Sequence, residues 1–193
     1  MTIEADFERP GAARAAAQRA IAELGAIDIL VCAAAVQHRV ALDGVTEAQI
    51  DRQTQVNFKA TIELLQATVP AMRARRWGRV LTIGSVNQLR PEPELSVYAA
   101  LKSAQHNLIA NLARHHAADG VTFNNLAPGL VATDRNRWRR EDPEVWRGIE
   151  RAANPMARAA LPEEMAGAAL LLCSDAGSFI TGCDLQATGG GHL

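Results

Sequence analysis

The sequence predicts an α/β protein built on a parallel sheet, and three observations carry that expectation. Strand-like runs at Ile27–Val31, Arg79–Ile83, Val121–Leu126 and Asp184–Ala187 alternate with longer stretches of helical character. Ile27–Val31 is a short continuous apolar run, as expected of a parallel strand buried on both faces. Small or turn-forming residues follow three of the runs, at Ala33–Ala35, Gly84–Ser85 and Pro128–Gly129.

The elements follow in order. Thr2–Ala5 reads as the end of a short strand, and Asp6 begins a polar turn that includes Pro10 and Gly11. An alanine-rich helix then runs to about Leu24, with Ala13, Ala17, Ala20, Ile21 and Leu24 on one side and Gly25 as its stop. Thr46 with Gln49 three residues on is a capping-box pair opening a long helical region through Arg75, which Pro70 kinks or divides. Arg79–Ile83 delivers Gly84 and Ser85 at its carboxyl end. Ser96 is placed to cap the next helix, which has an apolar stripe of Leu101, Ala104, Leu108 and Leu112 and ends at Gly120. After Val121–Leu126 the chain turns polar and arginine-rich from Asp134 to Arg158, the composition of short helices and loops outside the sheet. Pro162 opens a helix to about Cys173, and Asp184–Ala187 closes the sheet before Gly189–Gly191.

The chain's 193 residues, 48% hydrophobic and 21% charged, suit one domain, residues 1–193, with a substantial core. A net charge of -1 and a pI near 6.5 give no electrostatic reason to expect nucleic acid or an anionic membrane as partner. Cys32, Cys173 and Cys183 are odd in number and form no CxxC pair, so the expectation is reduced thiols in a cytoplasmic protein, with no metal site. The longest apolar run, Ile29–Val36, is too short to span a bilayer, and Glu4, Asp6 and Glu8 are unlike a secretory signal.

The chemistry concentrates in Gly84–Ala104. Tyr98 and Lys102 stand four residues apart in a helix and so share a face. Using a phenol as a base at neutral pH requires lowering its pKa by roughly 3 units, about 4 kcal/mol. An ammonium about 4 Å away supplies ~4 kcal/mol at an effective dielectric of ~20 but only ~1 kcal/mol in water. The pair therefore needs a partly dry cleft.

These residues resemble the short-chain dehydrogenase/reductase family, from about Asp6 to the carboxyl end. Ser85 stands thirteen residues before Tyr98, as in that family, and Tyr98-Ala-Ala-Leu-Lys102 fits its Tyr-x-x-x-Lys. Asn57 falls where the family keeps a helix asparagine, Pro128–Thr133 resembles its Pro-Gly loop, and Phe179–Gly182 with the terminal glycines resembles its closing strand. The resemblance implies a Rossmann-like, doubly wound parallel sheet. It also implies a hydride passed between NAD or NADP and a small alcohol or ketone, in a homo-oligomer, dimer or tetramer. Ser85, Tyr98, Lys102 and Asn57 are then catalytic, with Tyr98 as acid or base, Ser85 on the substrate oxygen, and Asn57 seating a water that relays protons from Lys102. Asp6, Cys32, Ala33, Ala34, Tyr98, Lys102, Pro128, Gly129, Val131 and Thr133 are implied on the cofactor. For Asp6 the alternative is a turn residue at the helix approach, and for Asn57 a solvated helix position.

Two departures bear on this. Cys32-Ala33-Ala34-Ala35 stands where the family has Asn-Asn-Ala-Gly, and nothing in Met1–Leu24 has the form of its glycine-rich turn opening a helix. By resemblance the first two strands, a unit on the order of 50 residues, are missing. The second reading is thus a non-catalytic remnant or interaction module that holds no cofactor. A serine hydrolase fits poorly, because Ser85 lacks a Gly-x-Ser-x-Gly setting. Arg135, Arg137, Arg139, Arg140, Arg147 and Arg151 either meet an anionic substrate such as a sugar acid or, with the five carboxylates of the same span, form a solvated, salt-bridged surface. Trp138 and Trp146 either line the pocket or pack a subunit contact. With its neighbours in the family's sheet absent, Ile27–Val31 becomes an apolar edge. Such an edge invites rearrangement, self-association or aggregation, so the isolated 193-residue chain is expected to be poorly soluble or unstable; a monodisperse protein on size-exclusion chromatography with a cooperative melt contradicts this.

Overall fold

A computed structural model describes residues 1–193. Four strands, β1 (Ile29–Cys32), β2 (Gly78–Ile83), β3 (Val121–Pro128) and β4 (Asp184–Ala187), form one parallel sheet in the order β1-β2-β3-β4. The registers pair Leu30 with Val80, Val80 with Phe123, and Asn125 with Asp184. The helices are α1 (Ala12–Leu24), α2 (Glu47–Thr54), α3 (Ala60–Arg75), α4 (Ser96–His116), α5 (Pro143–Ala153) and α6 (Glu163–Cys173).

Successive strand residues point to opposite faces, which divides the core in two. Val80, Val121 and Phe123 pack with Leu65, Val69 and Met72 of α3 and with Ile109 and Ala113 of α4. Leu81 and Leu126 turn the other way, onto Leu172 of α6. Each such large apolar side chain, fully buried, contributes on the order of 1.5–3 kcal/mol. The sheet is therefore wound on both faces, as the sequence predicts.

The capping box is present: Gln49 N–H donates to Thr46 Oγ1 at 3.3 Å, and Thr46 N–H donates to Gln49 Oε1 at 3.0 Å. Gly25 stops α1 at φ 80°, its N–H bonded to Ile21 O. Gly120 reverses the chain after α4 at φ 77°, where a Cβ would lie 2.1 Å from Arg76 O.

Several expectations are corrected. Thr2–Ala5 forms no strand, because β1 ends the sheet and no strand lies beside the segment. β1 is buried on one face only: Leu30 and Cys32 enter the core, whereas Ile29 and Val31 are 46% and 48% exposed, since α6 covers β2, β3 and β4 but not β1. Pro70 does not divide its helix, which runs through it; the interruption is a π turn at Gln55–Lys59. Ser96 already has helical φ/ψ and makes no capping bond; Pro93–Leu95, a 3₁₀ turn, leads into α4 instead. Leu24 is exposed, so α1 buries only Ala13 and Ala17 fully. The deepest face of α4 is Tyr98, Lys102, Gln105, Ile109 and Ala113, with the leucine stripe half-buried beside it. No helix is long and apolar enough to cross a membrane.

Candidate active site

β2 ends at Ile83 and passes Ser85 to the carboxyl edge of the sheet. The chain must run very close to β3 there: Gly84 N–H donates to Leu126 O at 2.7 Å, and a Cβ on Gly84 would lie 2.4 Å from Asn125 Nδ2. Ser85 Oγ accepts from Asn87 N–H at 3.2 Å and from Asn87 Nδ2 at 3.4 Å, capping the turn Val86–Gln88. A buried polar network fixes this turn. Asp184 of β4 accepts from Asn125 Nδ2 and from Gln88 Nε2, both at 2.7 Å. Thr82 Oγ1 donates to Asn125 Oδ1 at 2.7 Å.

α4 places Tyr98 and Lys102 over the same edge. Lys102 is 2% exposed, and its Nζ donates to Ile83 O at 2.6 Å and to Gln105 Oε1 at 3.1 Å. Gln105 Nε2 in turn donates to Thr61 Oγ1 of α3 at 3.1 Å. Burial, and after it the charge of Arg135, lower the Lys102 pKa to about 8 against an opposing raise from Cys32. Tyr98 is 6% exposed and its pKa is raised: burial outweighs the opposing pull of Ser85 and Arg135. The expected lowering of the phenol by Lys102 is thus not realised. Nζ is committed to Ile83 and Gln105, 5.8 Å from the Tyr98 ring centre, and desolvation dominates both groups.

One cavity of about 980 Å³ collects Ser85, Tyr98 and Lys102 with Ala33 and with Pro128, Gly129, Val131 and Thr133 from the end of β3. Trp138 lines it, and Trp146 does not. Four expected site residues lie off its wall. Asn57 is fully buried in the π turn, where its Oδ1 accepts from Val36 N–H and its Nδ2 donates to Val36 O, both at 2.8 Å. It is neither solvated nor on the cavity; it clamps the segment after β1. Cys32 points into the core, where burial pushes its thiol up to about 12. Ala34 and Cys32 line a separate apolar groove of about 330 Å³ with Phe7. Asp6 is exposed and accepts from Glu8 N–H at 3.0 Å, as a turn residue does.

Sequence reasoning missed Gln88, Gln105, Asn125 and Asp184. A signal existed for Asn125: an amide inside the apolar run Val121–Leu126 demands a buried partner.

The hydroxyls of Ser85, Tyr98 and Thr133 and the ammonium of Lys102 form a donor set that fits the nicotinamide–ribose end of a dinucleotide. The amino end of α1 offers its pyrophosphate no such cradle, because it is taken by Glu63, which accepts from Gly11 N–H at 3.0 Å and Arg14 N–H at 3.3 Å.

The doubly wound parallel sheet, with its polar cluster outside the carboxyl ends of the strands, defines a Rossmann-like α/β protein. A family model described as enoyl-(acyl carrier protein) reductase matches residues 1–192. Dehydrogenase/reductase SDR family member 4 of Bos taurus is 38% identical over 167 residues, covering 86% of this chain and 60% of that protein. The 3-oxoacyl-[acyl-carrier-protein] reductase of Escherichia coli is 32% identical over 184 residues, covering 95% of this chain and 74% of that protein. A crystal structure of 3-oxoacyl (acyl-carrier-protein) reductase from Agrobacterium tumefaciens with NADP bound superposes with TM-score 0.93 at 48% identity, covering 96% of this chain and 72% of that one. A gluconate 5-dehydrogenase from Burkholderia cenocepacia in complex with NADP and tartrate gives TM-score 0.88 at 32% identity, over 95% and 72%. The chain belongs to the short-chain dehydrogenase/reductase family of oxidoreductases. It spans about 60% to 74% of the length of these relatives.

The lowered Lys102 pKa sets a pH dependence. The unfolded chain holds a proton on Lys102 up to its ordinary 10.5, the folded chain only to about 8, so stability rises with pH above about 8. The raised pKa values of Cys32, Cys173 and Cys183, whose ordinary value is 9.0, and of Tyr98, ordinarily 10.0, act oppositely as those groups ionise in the unfolded chain. Between about pH 8 and 9 Lys102 contributes a gain of about 1 kcal/mol, which the three thiols partly offset. Urea denaturation across that window should show the parent gaining about 1 kcal/mol relative to Lys102→Met, which keeps the thiols and lacks the ammonium; parallel pH profiles in both proteins refute the assignment.

Proposed function

We propose that these residues form the catalytic part of an oxidoreductase that moves a hydride between NAD or NADP and a small alcohol or ketone. The observation that carries this reading is the convergence of Ser85, Tyr98, Lys102 and the Pro128–Thr133 loop on one cavity. The bound nicotinamide would supply or take the hydride. Tyr98 is the proton donor in reduction: burial keeps its phenol protonated at neutral pH, so the O–H is available to a carbonyl oxygen. Ser85 holds that oxygen. Both Asn87 donors end on Ser85 Oγ, so the serine's own hydrogen, which here meets the Tyr98 phenol oxygen, is the donor that would turn to the substrate.

Lys102 has three N–H donors and spends two, on Ile83 and Gln105, so the third remains for the ribose of the cofactor. With a pKa of about 8 it loses its charge at mildly alkaline pH, which removes a proton from the site and favours alcohol oxidation there. Asn57 acts through Val36, holding the segment that carries Ala33 and Ala35 against the cavity. NADP in two of the similar structures supports a nicotinamide dinucleotide without choosing its 2′-phosphate. The working unit is proposed to be a cytoplasmic homo-oligomer, dimer or tetramer; Leu170 and Phe179, 68% and 102% exposed, are apolar surface that such an assembly would cover.

The second reading, a non-catalytic module, is favoured by the filled amino end of α1 and by the raised rather than lowered Tyr98 pKa. Calorimetric titration with NADH and NADPH separates the two, since micromolar binding excludes the module. Tyr98→Phe is expected to cut kcat by at least about 10²-fold with an unchanged circular-dichroism spectrum. Turnover within a few fold of the parent would remove Tyr98 from the proton-transfer role.

A further inference from the structure

Arginines in and around the cavity are treated unequally by their surroundings. Outside it, each of three guanidiniums has a carboxylate: Arg137 with Asp134 at 2.8 Å, Arg158 with Glu164 at 2.7 Å, and Arg147 with Glu144. Inside it, five cationic side chains, Arg39, Arg90, Lys102, Arg135 and Arg139, share the lining with one carboxylate, Glu92. Glu92 is already held by Arg39 at 2.7 Å, which Glu94 also meets at 3.1 Å. Arg90 is tied to Gly191 O at 3.1 Å. Arg135 has only a backbone carbonyl, Ala35 O at 2.9 Å, and Arg139 lies over the Trp138 ring at 5.5 Å.

We infer that the substrate is a hydroxy or oxo acid whose carboxylate is bound by Arg135 and Arg139. The inference rests on the proposed oxidoreductase reading for the hydroxyl or carbonyl at the other end of the molecule. A guanidinium presents a planar fork of donors that a carboxylate matches with two parallel bonds. Arg135 has donors left for such a fork after its single bond to Ala35. Its charge reaches the reacting groups, because it lowers the pKa of both Tyr98 and Lys102. Arg135 and Arg139 share one cavity wall with Ser85 and Tyr98, so one molecule seated there can meet both groups. A phosphate fits less well. Phosphates favour the amino ends of helices, but α5 turns its carboxyl end, Ala152 and Ala153, to this cavity. Its amino end is capped by Asp142, which accepts from Glu144 N–H at 2.9 Å and Val145 N–H at 3.2 Å.

The test is calorimetric binding of 3-hydroxybutyrate and of its methyl ester, which differ in charge at the one group in question, together with turnover of both. The parent protein should bind the acid at least tenfold more tightly than the ester. That preference should fall at least tenfold in Arg135→Gln and in Arg139→Gln and persist in Arg137→Gln, whose guanidinium already pairs with Asp134. Equal binding of acid and ester by the parent overturns the inference without any variant having to fold, and so does a preference that survives both glutamine substitutions. Arg135→Lys, which keeps the charge and loses the fork, should retain part of the preference. Tight binding of the acid with no turnover by NAD or NADP supports anion recognition and sinks the oxidoreductase reading. Equal turnover of acid and ester does the reverse.

Discussion

Lys102 is an ammonium almost wholly withdrawn from water, and the arrangement around it follows from making that tolerable. Burying an unpaired charge costs several kcal/mol, so the group must find acceptors or lose its proton. This chain does some of both. Ile83 O and Gln105 Oε1 take two of its hydrogens, and its pKa falls to about 8. Because Ile83 closes β2, Gln105 lies on α4 and Thr61 lies on α3, one chain of bonds sets the register of two helices against one strand end. Tyr98, one helical turn before Lys102, is thereby fixed beside Ser85.

The same logic holds on the other side of Ser85. Asn125 of the buried β3 and Asp184 of β4 are bonded to each other, and Thr82, Gln88 and Gln186 complete the network around them. Half-satisfied networks of this kind destabilise, whereas complete ones specify a single geometry. The rigid part of the site is accordingly the part facing β2, β3 and β4. The wall next to β1 is different: it is held by Asn57 through Val36, and it borders the strand with the exposed Ile29 and Val31. The arginines at the rim complete the picture. They leave the cavity with positive charge that the protein does not itself neutralise, close to a phenol and an ammonium that both respond to it.

Much of the fold was legible because it depends on local pattern. All four strands lie where apolar runs and turn residues predict them, and the Thr46–Gln49 capping box and the Gly25 and Gly120 stops are present. Tyr98 and Lys102 share a helix face as their spacing implies, and they meet Ser85 and the Pro128–Thr133 loop in one cavity as the family resemblance implies. What failed depends on partners distant in sequence. The deepest face of α4 escaped the apolar pattern because Lys102 and Gln105 occupy it as buried polar groups, satisfied by residues of β2 and α3. The π turn at Asn57 needs Val36 to explain it. The pKa of Tyr98 goes up because of its burial, while Lys102 Nζ turns to Ile83 and Gln105 instead, and neither is visible in a four-residue spacing.

The chain has two lysines, Lys59 and Lys102, so ¹³C-ε lysine labelling gives two signals, and a Lys59→Arg variant assigns them. An NMR titration of the Lys102 signal is the most direct measurement of the constraint on which the site depends. A midpoint near the expected value of about 8 supports a buried ammonium shared by Ile83 and Gln105. A midpoint at the ordinary value of 10.5 contradicts it, because Lys102 would then be solvated and could not set the register of α4 on β2.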